Sequence, residues 1–280
     1  MCYLSITYFP GVRQATTSFA SIIHHHCCYP KLTNMSDSAS DITTLLSNEM
    51  YNPEIIPQLE AYLDSQVQQD SSAPSNSYNF DANRTLIKLY QFFPQQAKTQ
   101  YILLAESLAL VYGEVSREGS NDFGALGCLI TESVKNDEPY PTLVRCADLL
   151  DSCQFPEFWT VYHSVSTNST DYEMVAKLST SSHAKNALRK TILNKLSQAF
   201  KATKLSYVMQ QLDLEIDSDE AKAFLKDSEG VVEKSDKSAD SIVFCNNVEN
   251  TKRDKVSQEG GIDYSMIRGF TTKANKIAVE

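Results

Sequence analysis

From residue 41 onward, apolar side chains recur at helical spacing in one segment after another, and each run ends at Pro, Gly or a polar cluster. A chain patterned this way must bury one stripe of each helix against its neighbours, so the fold class it dictates is mainly α. Asn52 is placed to cap a first helix with Pro53 at its opening position, where a missing N–H matters least. Ile55, Ile56, Leu59, Tyr62, Leu63 and Val67 follow; Pro57 interrupts the run, which sets the regular helix to begin near 57. Residues 70–77 read as a polar loop. Asp81 is the predicted cap of the next helix, with Leu86, Ile87, Leu89, Tyr90 and Phe93 on its buried face and Pro94 as its stop. A third helix carries Tyr101, Leu104, Ala105, Leu108, Val111 and Tyr112 and ends in the polar stretch Gly113–Ser120. Asn121 or Asp122 opens a fourth, striped by Phe123, Leu126, Ile130 and Val134. Residues 142–153 bury Leu143, Ala147 and Leu150, and Pro156 begins a short aromatic helix holding Phe158, Trp159 and Tyr162. Successive helices on short loops predict an antiparallel right-handed stack. No clean sequence repeat accompanies it, so element order alone carries that expectation.

Near Ser182 the texture changes. A long helix from Ser182 to Phe200 carries Ala187, Leu188, Ile192, Leu196 and Ala199. Leu205, Val208, Met209 and Leu212 form another, a turn runs from Asp213 to Asp217, and Asp217 with Glu220 reads as a capping box. The next helix buries Ala221, Phe224 and Leu225 and ends at Gly230. Two short apolar strands follow, Val231-Val232 and Ile242-Val243-Phe244. Helix, helix, turn, helix and β-hairpin is the order of a winged helix. From residue 249 the sequence is polar and weakly periodic and reads as a flexible tail.

Composition narrows the function. The chain has 280 residues with 25 Lys+Arg against 35 Asp+Glu, a net charge of −10, which disfavours a general nucleic-acid coat because phosphate affinity rests on basic side chains. The deficit is concentrated where a winged helix would meet DNA: between residues 204 and 230 three lysines (204, 222, 226) face seven acids (213, 215, 217, 219, 220, 227, 229). Only nine Gly occur in 280 residues, which leaves little for glycine-rich phosphate loops. Seven Cys, an odd number with no CxxC pair, suit a reducing compartment; Cys128 and Cys146 lie in apolar helical patterns, where a buried thiol is ordinary. The longest apolar stretch, residues 101–112, contains Glu106 and is too short to span a bilayer.

The first 34 residues hold Arg13 and Lys31, no acid, and the run His24-His25-His26-Cys27-Cys28. Organelle transit and zinc ligation by that run are two readings, but a lone Arg before residue 30 is thin for the first, and adjacent donors converge poorly on a tetrahedral centre. The simplest reading is a disordered extension with a start at Met35. No GxSxG elbow, HExxH, phosphate loop or dinucleotide fingerprint is present. His163 and His183 lie on or beside helices; Asp148 and Asp151 fall three apart, as a solvated helix edge would; Cys146 and Cys153, seven apart, lack a positioned base. The expectation is a chain that is not an enzyme and carries no cofactor and no metal.

Several phrases together carry a family resemblance. Tyr51-Asn52-Pro53-Glu54, Leu59-Glu60-Ala61-Tyr62, Asn79-Phe80-Asp81-Ala82-Asn83 and Lys88-Leu89-Tyr90-Gln91-Phe92, then residues 147–155 followed by Phe158-Trp159, resemble the subunit K family of eukaryotic translation initiation factor 3. The resemblance implies a HEAT-like helical-repeat domain over 41–181 and a winged-helix domain with a short β-hairpin over 182–248. These lie between the extension, 1–40, read from its composition as disordered, and the flexible tail, 249–280. This is the architecture of a PCI-related scaffold shared with a proteasome lid subunit and a signalosome subunit. It further implies a non-catalytic, cytoplasmic subunit that docks on other initiation factor 3 subunits, the L subunit above all, and reaches the small ribosomal subunit through the complex. Neither membrane nor direct sequence-specific nucleic acid is implied. The chain departs from the family in its N-terminal 34 residues, its serine-rich stretch at 70–77, Pro57, and the lack of tryptophan in the winged-helix region. A sibling lid or signalosome scaffold, or a winged-helix nucleic-acid-binding protein, is the alternative. Val232, Ile242 and Phe244 in the wing are the candidate protein-interface residues, either packing the wing on its own domain or facing a partner that adds a strand to its edge.

Overall fold

The computed structural model describes residues 35–68, 78–117, 119–169, 171–236 and 240–251, together with 264, 267 and 268. The HHHCC run, the 70–77 loop and nearly all of the C-terminal tail lie outside the described residues. The chain divides into two compact units, residues 1–41 and 42–280. Of the first, the described part is the opening of helix α1 (Met35–Glu49). All that follows concerns the second.

The stack comprises α2 (Ile56–Gln68), α3 (Phe80–Phe92), α4 (Thr99–Ser116), α5 (Asp122–Gly127), α6 (Glu132–Lys135), α7 (Tyr140–Asp151), α8 (Phe155–Asn168) and α9 (Glu173–Thr180). Then come α10 (Ser182–Ala199), β1 (Ala202–Lys204), α11 (Leu205–Gln211), α12 (Asp219–Asp227), β2 (Val232–Asp236) and β3 (Ser241–Phe244). The protein is mainly helical with one small antiparallel sheet.

Local chemistry explains where the helices begin. Asn52 caps a 3-10 turn at Pro53–Ile55 by accepting from the Glu54 N–H at 3.0 Å, and α2 starts at Ile56, one residue before Pro57. At α3 the cap is Asn79, accepting from the Ala82 N–H at 3.1 Å; Asp81, the expected cap, sits in the first turn and pairs with Arg84 instead. At α12 the cap is Ser218, bonded to the Ala221 N–H at 3.1 Å, in place of Asp217. In both corrections the oxygen that caps is the one three residues before a free N–H.

The single helix expected over 122–134 divides into α5 and α6, although Leu126, Ile130 and Val134 are all buried as the stripe requires. Gly124 and Gly127 weaken α5. Gly127 is also where the Tyr140 hydroxyl approaches, at 3.0 Å from the position a Cβ would take. Conversely α4 does not stop at Gly113 but runs on to Ser116, and at that glycine the Asp122 side chain approaches the helix closely. Cys128 is exposed, contrary to expectation, since it falls in the break between α5 and α6; Cys146 is fully buried.

α4 is the hub. It is buried on every side from Ile102 to Gly113 and packs against α2, α3, α5, α7, α9 and α10. Around it, polar pairs fix the helices in register: Gln66 and Asn83 exchange two side-chain hydrogen bonds (2.8 and 3.2 Å), and buried Glu60 accepts from Tyr90 at 2.6 Å and from Lys98. One carboxyl is left out. Glu106, in the middle of α4, is fully buried, and neither of its oxygens has a hydrogen-bond partner among the described residues. Burial raises its proton affinity until it titrates at about 9, with Lys135 offsetting this only in part. The folded chain therefore holds a proton that the unfolded chain releases near the ordinary value of 4.5. Stability is fully present below the unfolded value and is lost as pH rises toward the folded one. We expect Glu106→Gln to be the more stable form at neutral pH and above, its advantage growing by up to about 1.4 kcal/mol per pH unit between about pH 5 and pH 8. Urea unfolding of both forms across that range measures it; a constant difference would refute it.

Candidate interaction surface

The sheet has the order β1-β3-β2, all antiparallel, with Ala202 opposite Val243 and Lys204 opposite Ser241 on one side, and Val232 opposite Phe244 and Asp236 opposite Ser241 on the other. A bulge separates Val232 from Lys234. Val232, Ile242 and Phe244 all belong to the buried core, Ile242 and Phe244 with no exposed surface at all. Their side chains hold the hairpin to its own domain, so what the wing can offer a neighbour is the outer edge of β2, where Glu233 and Ser235 are exposed. β1 was not foreseen from the sequence; Ala-Thr-Lys has no strand pattern of its own and becomes a strand by pairing with β3.

α11 is the element on which this surface is built. Its seven residues make too few internal bonds to stand alone. Its N-terminus has no local side-chain cap; Asp240, at the start of the return strand of the hairpin, accepts from the Ser206 N–H and from the Ser206 hydroxyl, both at 2.8 Å. Those bonds hold the Asp240 carboxyl below the ordinary carboxylate range. At the other end Asp213 adopts φ 53°, the Leu214 N–H returns to the Met209 carbonyl and the Asp213 N–H to that of Gln210. The carbonyls still exposed by that turn are taken by the stack: Trp159 of α8 donates to Gln211 at 2.9 Å, and Arg189 of α10 donates to Leu212 at 3.0 Å and Asp213 at 3.1 Å. The buried Arg189 guanidinium also pairs with Glu220 and lies over the Trp159 ring at 5.7 Å. His163, one turn beyond Trp159, contacts the Asp213 carboxylate at 2.9 Å.

Beside the C-terminal end of α11 lies a shallow, open groove of about 580 Å³. Its lining comes from Met209 and Gln210 of α11 and from residues 214–218. Exposure alternates along that segment: Asp213, Glu215 and Asp217 face water, while Leu214 and Ile216 are half-buried against the core. Nearby, Phe200 and Tyr207 form an exposed edge-to-face aromatic pair with ring centroids 6.1 Å apart. A second such pair, Tyr51 and Phe92, lies on the stack at 6.1 Å.

The remaining sequence candidates are accounted for structurally. Asp151 and Glu114 both lie near the Lys195 ammonium, Cys153 is exposed at φ 58° just past α7, and His183 lines a second groove, of about 450 Å³, between α4, α10 and α12. Arg84 pairs with Asp81 and Lys98 with Glu60. Among the described residues no group of three or more His, Cys, Asp or Glu is arranged to hold a metal ion. Likewise no described helix is long and apolar enough to cross a membrane. Sequence reasoning missed Arg189, Asp240 and Trp159 as the supports of α11, since each acts on a residue 23 to 52 positions away.

Helices packed with a small antiparallel sheet define the protein as mainly helical. In sequence the chain is similar to eukaryotic translation initiation factor 3 subunit K. It is 28% identical over 170 residues to that subunit of Anopheles gambiae (60% of this chain, 67% of the relative). It is 29% identical over 184 residues to that of Culex quinquefasciatus (65% and 73%). With the Homo sapiens subunit the identity is 32% over 114 residues, 40% of this chain and 46% of the relative. No family model matches. The resemblance carried by the sequence phrases is borne out.

Removing the Arg189 side chain strands the Leu212 and Asp213 carbonyls and leaves Glu220 without its partner. Arg189→Ala should therefore destabilise the chain by roughly 3 kcal/mol. Arg189→Lys should recover only a part, because an ammonium cannot reproduce the planar fork. Denaturant midpoints report both; an unchanged midpoint for the alanine form would remove the clamp from the account.

Proposed function

We propose that this chain is a non-catalytic scaffold subunit of eukaryotic translation initiation factor 3, working in the cytoplasm by docking on neighbouring subunits. The similarity to subunit K, reaching 65% of the chain, is the observation that carries the reading. The fold supports it. Residues 41–181 are a stack of helices in the manner of a HEAT-like domain. Over 182–248 the order helix, strand, helix, helix, strand, strand, with the first strand pairing the last, suits a winged helix.

In this reading the L subunit is the principal neighbour, and contact with the small ribosomal subunit comes through the complex. The wing contributes by strand addition at the free side of β2, where main-chain hydrogen bonds give affinity and alternate side chains give selectivity. The acids of α12 and of the segment between α11 and α12 weigh against phosphate as the wing's ligand.

Affinity purification of the tagged full chain from its own cells, followed by mass spectrometry, tests the assignment. Recovery of initiation factor 3 subunits is expected; recovery of proteasome lid or signalosome subunits in their place would overturn it. Glu233→Lys with Ser235→Lys should lower recovery of the L-type subunit about fivefold or more while the thermal midpoint holds, as expected for charge placed on an edge strand. Undiminished recovery would rule out docking through β2.

A further inference from the structure

We propose that α5 and α6, with the break between them, form a lid over the Glu106 carboxyl, and that loss of the carboxyl proton opens this lid while the rest of the stack stays folded. The device lies inside the stack and is independent of which complex the chain joins.

The site tolerates an ionised group poorly. Glu106 has no exposed surface, and neither of its oxygens has a hydrogen-bond partner among the described residues. A buried carboxyl with nothing to bond it must keep its proton or reach water. Reaching water means displacing whatever covers it. α5 covers it directly: a Cβ on Gly127 would lie 3.8 Å from Glu106 Oε1 and 3.0 Å from the Tyr140 hydroxyl. Tyr78 ahead of α3, Lys135 of α6 and Tyr140 of α7 are the titratable groups that act on the carboxyl, and none of them bonds it. Tyr78 donates to Asp122 at 3.1 Å, Lys135 pairs with Glu132 at 3.1 Å, and Cys128 and Glu132 act on Tyr140 in turn. Charges on the other helices around α4 are engaged elsewhere. Glu60 of α2 meets Tyr90 and Lys98, Arg84 of α3 meets Asp81, and Arg189 and Lys195 of α10 meet Glu220 and Glu114. Arg145 of α7 and Lys177 of α9 are exposed.

The cover is also the part of the surroundings that gives way first. α5 has six residues, two of them glycine, and α6 has four, so neither persists without its packing. That packing is small: Leu126, Ile130 and Val134 are buried, and the Gln91 side chain of α3 donates to the Leu129 carbonyl at 2.5 Å. Lifting these residues exposes far less apolar surface than unfolding α4, which is buried from Ile102 to Gly113. The sign follows from where the proton sits. The closed form holds it, whereas the open form releases it near the ordinary value of 4.5. Each pH unit above that value favours the open form by up to about tenfold, until the closed form also titrates at about 9.

Amide hydrogen exchange of the full chain at about pH 6, 7 and 8, with Glu106→Gln as the reference, tests the lid. The reporters are the N–H groups of Ala125, Cys128, Leu129 and Val134, whose bonds all lie within the lid or its cap. Base catalysis of exchange is common to both forms and cancels in their ratio. The ratio of wild-type to variant exchange should rise by about tenfold per pH unit in the lid. In both forms the amides of α10 from Leu188 to Leu196 should stay at least about a hundredfold more protected than those of the lid. If Glu106→Gln lowers the thermal midpoint, Glu106→Met, which also has no proton to lose, takes its place. A ratio that stays flat would overturn the proposal, because opening would then be independent of the carboxyl. Lid amides as protected as those of α10 would overturn it as well, because the proton would then leave only when the whole chain unfolds.

Discussion

The structure turns on the two ends of α11. A helix of seven residues has more unpaired backbone groups at its ends than bonds inside it, so it persists only where something else completes them. Here the hairpin completes one end through Asp240, and the stack completes the other through Trp159 and Arg189. The same bonds therefore cap a helix, attach the sheet and join the C-terminal elements to α8 and α10. The shallow groove lies beside that joint.

The stack follows a different economy. α4 is wrapped by neighbours along its whole central length, which leaves no face for polar groups unless they pair. Gln66 with Asn83 and Glu60 with Tyr90 and Lys98 obey that rule and lock α2 against α3 and α4. Such pairs add little net energy, but they penalise any shifted packing that would separate the partners. Glu106 breaks the rule by staying protonated, which makes the hub helix the part of the fold most exposed to alkaline pH.

How much was legible depended on range. Apolar stripes are local, and Leu86, Leu89, Leu104, Leu108, Leu143, Leu150, Phe158 and Tyr162 are all buried as their spacing demands. Caps were legible to within one or two residues: Asn79 and Ser218 act where Asp81 and Asp217 were expected, because neighbouring acceptors compete and only backbone geometry selects among them. β1 was not legible, since its three residues take their conformation from β3, some forty positions away. Nor were the supports of α11, because nothing near Arg189 or Asp240 in the sequence marks them as its caps. Val232, Ile242 and Phe244, put forward as candidate interface residues of the wing, are buried.

The sign of the C-terminal surface has a structural origin. α10 carries four bases and no acid, and on composition alone it would be the element to meet phosphate. Three of the four meet acids: Arg189 pairs with Glu220, Lys190 with Asp227 at the surface, and Lys195 lies near Glu114 of α4 and Asp151 of α7. The cations of α10 thus serve as rivets to α12 and to the stack. Glu215 and Asp217 are exposed beside the half-buried Leu214 and Ile216. Restoring an outward positive surface would require breaking those rivets, so attraction to phosphate and attachment of α12 compete for the same side chains. This chain has resolved the competition in favour of attachment.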